Sequence, residues 1–327
     1  MPRHSLSSRR RKITVVFAAV GGLVLLGVIA AGGYLWKLDH TVERNLNRVE
    51  GAFPDESDRP APAAASNGQA PLTVLLLGSD ARPQGSAVTG QRSDAMMIVH
   101  VNGARDRVDV MSIPRDSWVD VPGHGKAKIN SAYANGGFPL AVHTVEDLLG
   151  VRIDHVAAID MNGFKDMTDA LGGVDVKVVK PFTAFTGHRF TAGTHHVNGD
   201  EALAFVRERK HLGAGDLDRT ANQQRYLQAV FTQALSRDTL TNPGQLSAFI
   251  DATTRHLTVD DQLTGKRLRG LAFESRGLRG GDVHFSTVPV AGVGTSGDGQ
   301  SIVKLDQAGI HRLAEALQND AMAAYSP

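Results

Sequence analysis

The chain has 327 residues, with 35 basic and 34 acidic side chains and a formal net charge of +1. This balance excludes a polycation built to bind bulk nucleic acid, and a hydrophobic fraction of 42% excludes wholesale disorder. The absence of cysteine excludes disulfide scaffolds, thiolate metal sites and cysteine nucleophiles.

The first segment of the chain predicts a membrane anchor. Residues 13–36 carry no charge, and a helix of that length, rising about 1.5 Å per residue, is long enough to cross a bilayer. Basic residues crowd the preceding tail, 1–12, which places that tail in the cytoplasm. A cleaved signal peptide is the alternative, but its apolar region usually has only about 7–15 residues. We therefore expect a single-pass protein of the cell membrane whose remaining residues are extracytoplasmic.

Residues 37–71 are expected to form a juxtamembrane segment and a linker. The stretch 37–50 is compatible with a short helix, whereas 56–71 is rich in Pro, Ala and Ser and lacks apolar periodicity. A folded domain is expected over 72–320, followed by a short tail at 321–327.

Strands and helices alternate along this predicted domain. Apolar runs indicate buried strands at 72–78, 95–101, 107–113, 155–161 and 174–179. Helical patterns are found at 139–149, around 163–171 and at 219–237. Interleaving of this kind predicts an α/β domain in which helices cover a central sheet.

Charged residues stand beside three of the predicted strands. Asp80 and Arg82 follow the first strand, Arg92 and Asp94 precede the second, and Arg115 and Asp116 follow the third. Surface ion pairs would explain any one of these sets alone. Because ligand sites of open α/β sheets gather at strand ends, the three sets together favour a binding site.

A second group of polar residues predicts an anion site. If 206–210 is extended, its period of two puts Arg207 and Arg209 on one face, as a fork for phosphate oxygens. Arg219, Asn222 and Gln223 share one face of a predicted helix start, where free backbone N–H groups also favour an anion. A solvated helix start capped by Asp218 is the simpler alternative. Carboxylates with several arginines suit Mg²⁺ and a phosphate or pyrophosphate.

The chain resembles the LytR-CpsA-Psr family of membrane-anchored envelope ligases. The resemblance covers roughly 72–320 and is carried by ordered motifs, namely LLLGSDAR, RSDAMMIVHV, SIPRDSWV, KINSAYANGG, IDHVAAIDMNGFKDMTDALGGVDV, GTHHVNGDEALAFVRERK and DLDRTANQQ. It implies a three-layer α/β/α domain with a central mixed sheet and an apolar lipid tunnel, preceded by one transmembrane helix. It also implies a Mg²⁺-assisted phosphotransferase that moves a glycopolymer from a polyprenyl-pyrophosphate carrier onto peptidoglycan, with no nucleic acid partner.

The resemblance also gives roles to individual residues. Asp80 and Asp94 would hold the metal and, with Arg115 at the reacting centre, form the catalytic set. The residues expected to grip the pyrophosphate are Arg82, Arg92, Lys128, Asn130, Arg207, Arg209, Arg219 and Gln223. Asn222 departs from the family pattern, which commonly has an arginine there, so that one guanidinium is missing.

Two other functions fit the same residues. One is a non-catalytic module that binds polyprenyl lipid or wall polymer, and the other is a polyprenyl-pyrophosphate hydrolase. The set of Asp80, Asp94 and Arg115 favours chemistry, because a pure binder would not need a metal. The sequence leaves open which aspartate would accept the proton of the acceptor and which glycopolymer is transferred.

Overall fold

The computed structural model describes residues 33–65, 69–79, 93–213 and 215–326, without the side chains of Ser79 and Asp94. Its centre is a seven-stranded mixed sheet. In spatial order the strands are β1 (Asn47–Val49), β12 (Leu257–Asp260), β7 (His155–Asp160), β2 (Leu72–Ser79), β3 (Ser93–Val101), β4 (Val108–Ile113) and β13 (Val283–Thr287). β2 is parallel to β7 and antiparallel to β3, and β4 is parallel to β13.

Helices and small hairpins surround this sheet. The helices are α1 (33–45), α2 (Asn130–Leu149), α3 (Met161–Ala170), α4 (Gly199–Arg207), α5 (Asp216–Ala234), α6 (Arg237–Thr241), α7 (Pro243–Arg255), α8 (Gly265–Glu274) and α9 (Gln307–Gln318), with 3₁₀ turns at Glu56–Asp58 and Gly280–Asp282. The two-stranded sheets pair β5 (Trp118–Val121) with β6 (Gly125–Lys128), β8 (Val174–Val178) with β11 (Gly193–Val197), β9 (Phe182–Thr183) with β10 (Arg189–Phe190), and β14 (Val290–Thr295) with β15 (Ser301–Leu305).

Both faces of the central sheet are covered. This is necessary because successive side chains of β2 point to opposite faces, and apolar side chains lie on both. Leu75 and Leu77 point into a core cluster that includes Val145 of α2 and Leu313 of α9. Leu76 lies on the other face, against a cluster that contains Tyr226 of α5. The prediction of an α/β domain with a central mixed sheet is therefore confirmed.

Most predicted elements form, with informative differences. The runs at 72–78, 95–101, 107–113 and 155–161 are strands of the central sheet, and the helices at 163–171 and 219–237 correspond to α3 and α5. The run at 174–179 forms β8, but β8 pairs with β11 outside that sheet after a turn in which Gly172 and Gly173 both have positive φ. The predicted helix at 139–149 is the second half of α2, which bends at Gly136–Gly137 just before Pro139.

The expectation of an extended segment at 206–210 is wrong at its start. α4 continues through Arg207, and the backbone becomes extended only at Glu208. Arg207 therefore lies at the end of a helix and Arg209 lies in the loop that follows it, so that the two do not share one face of a strand. Asp218 does not cap α5 either, because the helix begins at Asp216 after Gly215, whose φ is +57°.

Part of the segment 37–71 packs onto the rest of the fold. β1 adds to the edge of the central sheet beside β12, and Ala52 is fully buried in the core. Arg59 is buried as well and pairs with Glu146 of α2 at 2.8 Å. Within the described residues, no helix is both long and apolar enough to cross a membrane. The predicted span 13–36 lies outside those residues apart from 33–36.

Candidate functional site

A cavity of about 810 Å³ lies where β4 and β7 end and α5 begins. Five of the residues predicted from the sequence line it, namely Arg115, Arg207, Arg209, Arg219 and Gln223. Apolar side chains share the lining, namely Met161, Phe185, Val206 and Leu212. The cavity thus combines a concentration of guanidinium groups with an apolar border.

Asp216 holds two of these arginines. As the first residue of α5 it is buried, and its Oδ1 lies 3.4 Å from Nε of Arg115 and also pairs with Arg219. Burial raises the pKa of Asp216, and the nearby Asp116 adds to this effect, whereas Arg219 and Arg115 lower the pKa again. One carboxylate therefore fixes a guanidinium from the end of β4 beside one from the first turn of α5.

Asp116 plays a similar part for two further cations. Its Oδ1 lies 3.1 Å from Nζ of Lys128, and its Oδ2 lies 3.6 Å from Nη2 of Arg209. The Asp116 side chain is 8% exposed and that of Lys128 20%, so that solvent screens this pair less than the pair with Arg209, whose side chain is 43% exposed. Lys128, at the end of β6, is thereby connected to the loop that carries Arg209.

Glu208 shapes the loop between α4 and α5. It is buried, its Oε2 accepts the Phe185 N–H at 2.6 Å, and its Oε1 accepts the N–H groups of Arg209 at 2.8 Å and His211 at 3.1 Å. Burial alone would raise the pKa of Glu208, but these hydrogen bonds, with one from the His211 ring, hold the pKa below its usual range. An ionised Glu208 therefore fixes the backbone that presents Arg209 to the cavity.

The first turns of α5 form one wall of the cavity. Arg219, Asn222 and Gln223 are all buried on one face of the helix, as their spacing predicts. The Nε2 of Gln223 donates to the Val206 carbonyl at 3.5 Å, while Arg225 donates from Nη1 to Oδ1 of Asn222 at 2.9 Å. Asn222 and Arg225 line a smaller neighbouring cavity of about 40 Å³.

Lys128 and Asn130 lie close to the cavity, although they do not line it. The N–H of Asn130 donates to the Arg115 carbonyl at 3.2 Å, and Asn130 is itself buried at the start of α2. This bond anchors the turn that carries Arg115 and Asp116.

Four of the predicted site residues fall where little or nothing is described. Asp80, Arg82 and Arg92 lie outside the described residues, and only the backbone of Asp94 is described, within β3. There Gly78 pairs with Ala95 and Ser79 pairs with Ser93, so that position 94 is the extra residue of a bulge. Among the described side chains, no group of three or more His, Asp or Glu residues is arranged to hold a metal.

Sequence reasoning gave no role to Asp216, Asp116 or Glu208. Asp116 was one of the strand-end charges, and Asp216 lies in the GDLDR segment, but neither position indicates which cations it meets. Glu208 stands between two arginines in VRERK, where a solvated ion pair is the ordinary interpretation. The signal that could have found all three is an acidic residue inside each arginine-rich motif.

Known proteins resemble this chain over most of its length. The LytR_cpsA_psr family matches residues 40–319. A Bacillus cereus protein named polyisoprenyl-teichoic acid–peptidoglycan teichoic acid transferase TagU is 35% identical over 77% of this chain and 82% of its own. The cell wall biosynthesis protein LcpA of Corynebacterium glutamicum is 32% identical over 90% of this chain and 63% of its own. A solved structure of TagT bound to LI-WTA superposes with a TM-score of 0.63 at 28% identity, covering 83% of this chain and 99% of that one.

Proposed function

The chain belongs to the LytR-CpsA-Psr family, and we propose that it transfers a glycopolymer from a polyprenyl-pyrophosphate carrier onto peptidoglycan. The observation that carries this proposal is the cavity in which Arg115, Arg207, Arg209 and Arg219 converge. Such a concentration of guanidinium groups suits the oxygens of a pyrophosphate, which accept bidentate hydrogen bonds. Teichoic acid, named in the TagU relative, is the first polymer to test.

The arginines divide into two kinds by their surroundings. Arg219 and Arg115 are mostly buried and share Asp216, which fixes their position before substrate arrives. Arg207 and Arg209 are exposed at the mouth of the cavity. We assign Arg207 and Arg209 to capture of the pyrophosphate, and Arg115 and Arg219 to the charge that develops during transfer, where preorganised cations are most effective.

The transfer step is a displacement at the phosphorus that carries the glycopolymer. A hydroxyl oxygen of the peptidoglycan acceptor forms a bond to this phosphorus, and the bond to the bridging pyrophosphate oxygen breaks. Asp80 or Asp94 accepts the proton of the acceptor hydroxyl, and polyprenyl phosphate leaves with the bridging oxygen and its electron pair. The negative charge on the transferred group and on the leaving group stays beside Arg115 and Arg219, which lowers the barrier.

Mg²⁺ fits the expected roles of Asp80 and Asp94. Ser79 and Ser93 pair between β2 and β3, and each adjoins one of these two residues in the chain, with position 94 at the β2–β3 bulge. Two carboxylates with phosphate oxygens are a donor set that Mg²⁺ prefers. When bound, the ion would neutralise charge on the pyrophosphate.

The apolar border of the cavity suits the lipid part of the carrier. Met161, Val206 and Leu212 line it, and Phe185 stands at its edge with 59% of its surface exposed. Of these residues, Val206 and Leu212 belong to the apolar cluster between the sheet and α3, α4 and α5. We propose that the polyprenyl chain enters along this side, in the tunnel that the family resemblance implies.

Arg225 supplies the cation that position 222 lacks. Arg225 follows Asn222 by three residues, which is almost one turn of α5, and donates a hydrogen bond to it. It lines the small cavity together with His211, Leu212 and Gly213. Those three residues also line the main cavity. The guanidinium of Arg225 can therefore contact a substrate group that extends from one cavity into the other.

The test is transfer of a labelled glycopolymer from a synthetic polyprenyl-pyrophosphate carrier to peptidoglycan fragments by the full chain in a bilayer. We expect transfer that depends on Mg²⁺ and is lost with chelator, and a fall in turnover on the order of 10²–10³ for Asp94→Ala. Release of free polymer without transfer would favour the hydrolase, and binding without turnover would favour the non-catalytic module. Undiminished transfer by Asp94→Ala with chelator present would contradict the metal-assisted step alone.

A further inference from the structure

α1 and α8 pack side by side in opposite directions. The N–H of Gly265 donates to Oε1 of Glu43 at 2.8 Å, and one turn further along α8 Arg269 pairs with Asp39, one turn earlier on α1. A β-carbon at position 265 would collide with the Glu43 carboxylate, so that glycine permits this close approach. On their inner sides both helices contribute to one apolar cluster, through Val42, Leu268 and Leu271, and Leu46, the residue after α1, belongs to it as well.

The way α1 pairs with α8 places exposed apolar side chains at the same height along the two helices. Residue 265 of α8 lies beside residue 43 of α1, and residue 269 lies beside residue 39. One more turn of each helix therefore brings Phe273 beside Leu35. Phe273 is 67% exposed, Leu35 is 64% exposed and the adjacent Trp36 is 67% exposed. A single exposed apolar side chain needs no explanation, but large ones at a shared level indicate a surface that is covered by something apolar.

The outer side of α8 is strongly basic. Lys266, Arg269 and Phe273 are exposed at i, i+3 and i+7, which places them on one face, and Arg276 is exposed in the turn that follows the end of α8 at Glu274. Residues 265–279 contain five basic residues and one acidic residue, a net charge of +4, whereas residues 13–327 carry 30 basic and 34 acidic residues, a net charge of −4.

Two acidic residues lie beside the basic residues of α8, since Asp39 pairs with Arg269 and Glu274 lies 3.9 Å from Arg267. The guanidinium carbon of Arg276 lies 4.2 Å from the centroid of the Phe273 ring. Glu274 also accepts a hydrogen bond from Nε of Arg105 at 3.1 Å. Arg276 is thus the cation that lies directly against the exposed ring of Phe273.

We propose that the C-terminal end of α8, with Arg269, Phe273 and the Arg276 that follows the helix, contacts the outer surface of the membrane and binds the phosphate groups of anionic lipids. The proposal rests on the anchor predicted over 13–36. Trp36 is the last residue of that uncharged run. Asp39 stands three residues later, about 4.5 Å further along the helix axis. That is within the headgroup layer, which is roughly 5–8 Å thick on each side of the hydrocarbon core. Basic residues around an aromatic side chain are typical of helices at this depth.

The chain has no cysteine, so that one introduced thiol reports on one position. We would label Phe273→Cys in the full chain with an environment-sensitive fluorophore and reconstitute it in bilayers with and without anionic phospholipid. Val293→Cys is the matched control, because Val293 is 66% exposed and lies in β14, away from α1 and α8. We expect a blue shift of emission at 273, larger in the anionic bilayer, with quenching by spin-labelled lipids, and neither effect at 293.

A second variant tests the charges. Arg276→Glu should abolish the difference between the two bilayers at position 273, whereas Arg312→Glu should leave it unchanged. Equal emission at 273 and 293 in both bilayers would overturn the proposal. A response to inorganic polyphosphate in detergent as large as that to the anionic bilayer would also overturn it, in favour of a polyanion site. Failure of the full chain to float with vesicles would remove the anchor and this proposal, whereas glycopolymer transfer is measured separately.

Discussion

Oδ1 of Asp216 lies 3.4 Å from Nε of Arg115, and this pair joins the start of α5 to the turn after β4. The same carboxylate pairs with Arg219. Because burial raises the pKa of Asp216, an ionised carboxylate is unfavourable there unless cations surround it. We therefore regard Asp216 as the residue that positions the two buried arginines of the cavity.

Asp216→Asn should lower kcat for glycopolymer transfer on the order of 10–100-fold, the range found when a partner that orients a functional group is removed. KM should not rise, because loss of a negative charge makes the cavity more positive towards pyrophosphate. Steady-state kinetics with the synthetic carrier measures both constants. A higher KM with an unchanged kcat would instead show that Asp216 acts on substrate binding.

The pH dependence of kcat gives a second measure of the same residue. Since the pKa of Asp216 is raised, Asp216 gains its proton at a higher pH than an ordinary aspartate and then releases its hold on the arginines. As pH falls through that raised pKa, kcat of the natural chain should decline. The Asp216→Asn variant should lack this acid limb, and an identical acid limb in both proteins would contradict the assignment.

Asp116→Asn should weaken the hold on Lys128 and Arg209 and lower transfer on the order of tenfold or more. Asp120→Asn is the control, because Asp120 forms a comparable pair with Lys126 at 3.6 Å in the same hairpin but has 81% of its side chain exposed. An exposed pair of this kind contributes little. Equal transfer by the two variants would mean that Asp116 has no role in the site.

The sequence predicted the central strands because their apolar runs are continuous and end at glycine or at charged residues. It also placed Arg219 and Gln223 on one helical face, since helical spacing is a local property. It could not assign partners to Asp116 and Asp216, because each meets cations that are distant in the chain. A carboxylate next to an arginine in sequence is ordinarily a surface pair, and only packing of β4, β6 and α5 makes these two buried bridges.

The edge strand β1 could not be predicted from the sequence either. Its residues, Asn47–Val49, have no apolar alternation, and the segment after them is rich in Pro and Ala. β1 forms because β12 offers a free edge and Ala52 and Phe53 then pack into the core. Composition records neither of these tertiary contacts.

Arg115→Ala and Arg207→Ala should affect different kinetic constants. Arg115 is held within the cavity, so its loss should lower kcat on the order of 10²–10³-fold with little change in KM. Arg207 is exposed at the cavity mouth and should act in capture, so its loss should raise KM while kcat changes little. Identical changes in the two variants would contradict the division of roles.

Glu208 should link the shape of the Arg209 loop to pH. Its pKa is lowered in the folded chain, so the stability that it contributes is present above the unfolded pKa of about 4.3 and is lost as pH falls through the lower folded value. Glu208→Ala should remove this acid-side loss of melting temperature and should also raise KM, because Arg209 loses its fixed backbone. His211→Ala is the milder control, since it leaves the Phe185 and Arg209 N–H bonds intact.

Arg59 should matter for folding rather than for transfer. Its guanidinium lies 2.8 Å from Oε1 of Glu146 and 4.5 Å from the centroid of Phe53, and Arg59 and Glu146 have 5% and 0% of their side chains exposed. Arg59→Ala leaves a buried carboxylate without its cation, which should lower the free energy of unfolding by about 3–5 kcal/mol. Arg48→Ala, which breaks an exposed pair with Glu43, should cost under about 1 kcal/mol.

A double variant separates the charge of this pair from its shape. Arg59→Met combined with Glu146→Gln removes both charges and keeps an acceptor for the Ile153 N–H, which Glu146 Oε1 binds at 2.8 Å. It should therefore recover much of the stability lost in Arg59→Ala, because no unpaired charge stays buried. Urea denaturation of the full chain in detergent measures all three variants. If Arg59→Ala unfolds at the same urea concentration as the natural chain, the buried pair of Arg59 and Glu146 contributes nothing to the stability of the fold.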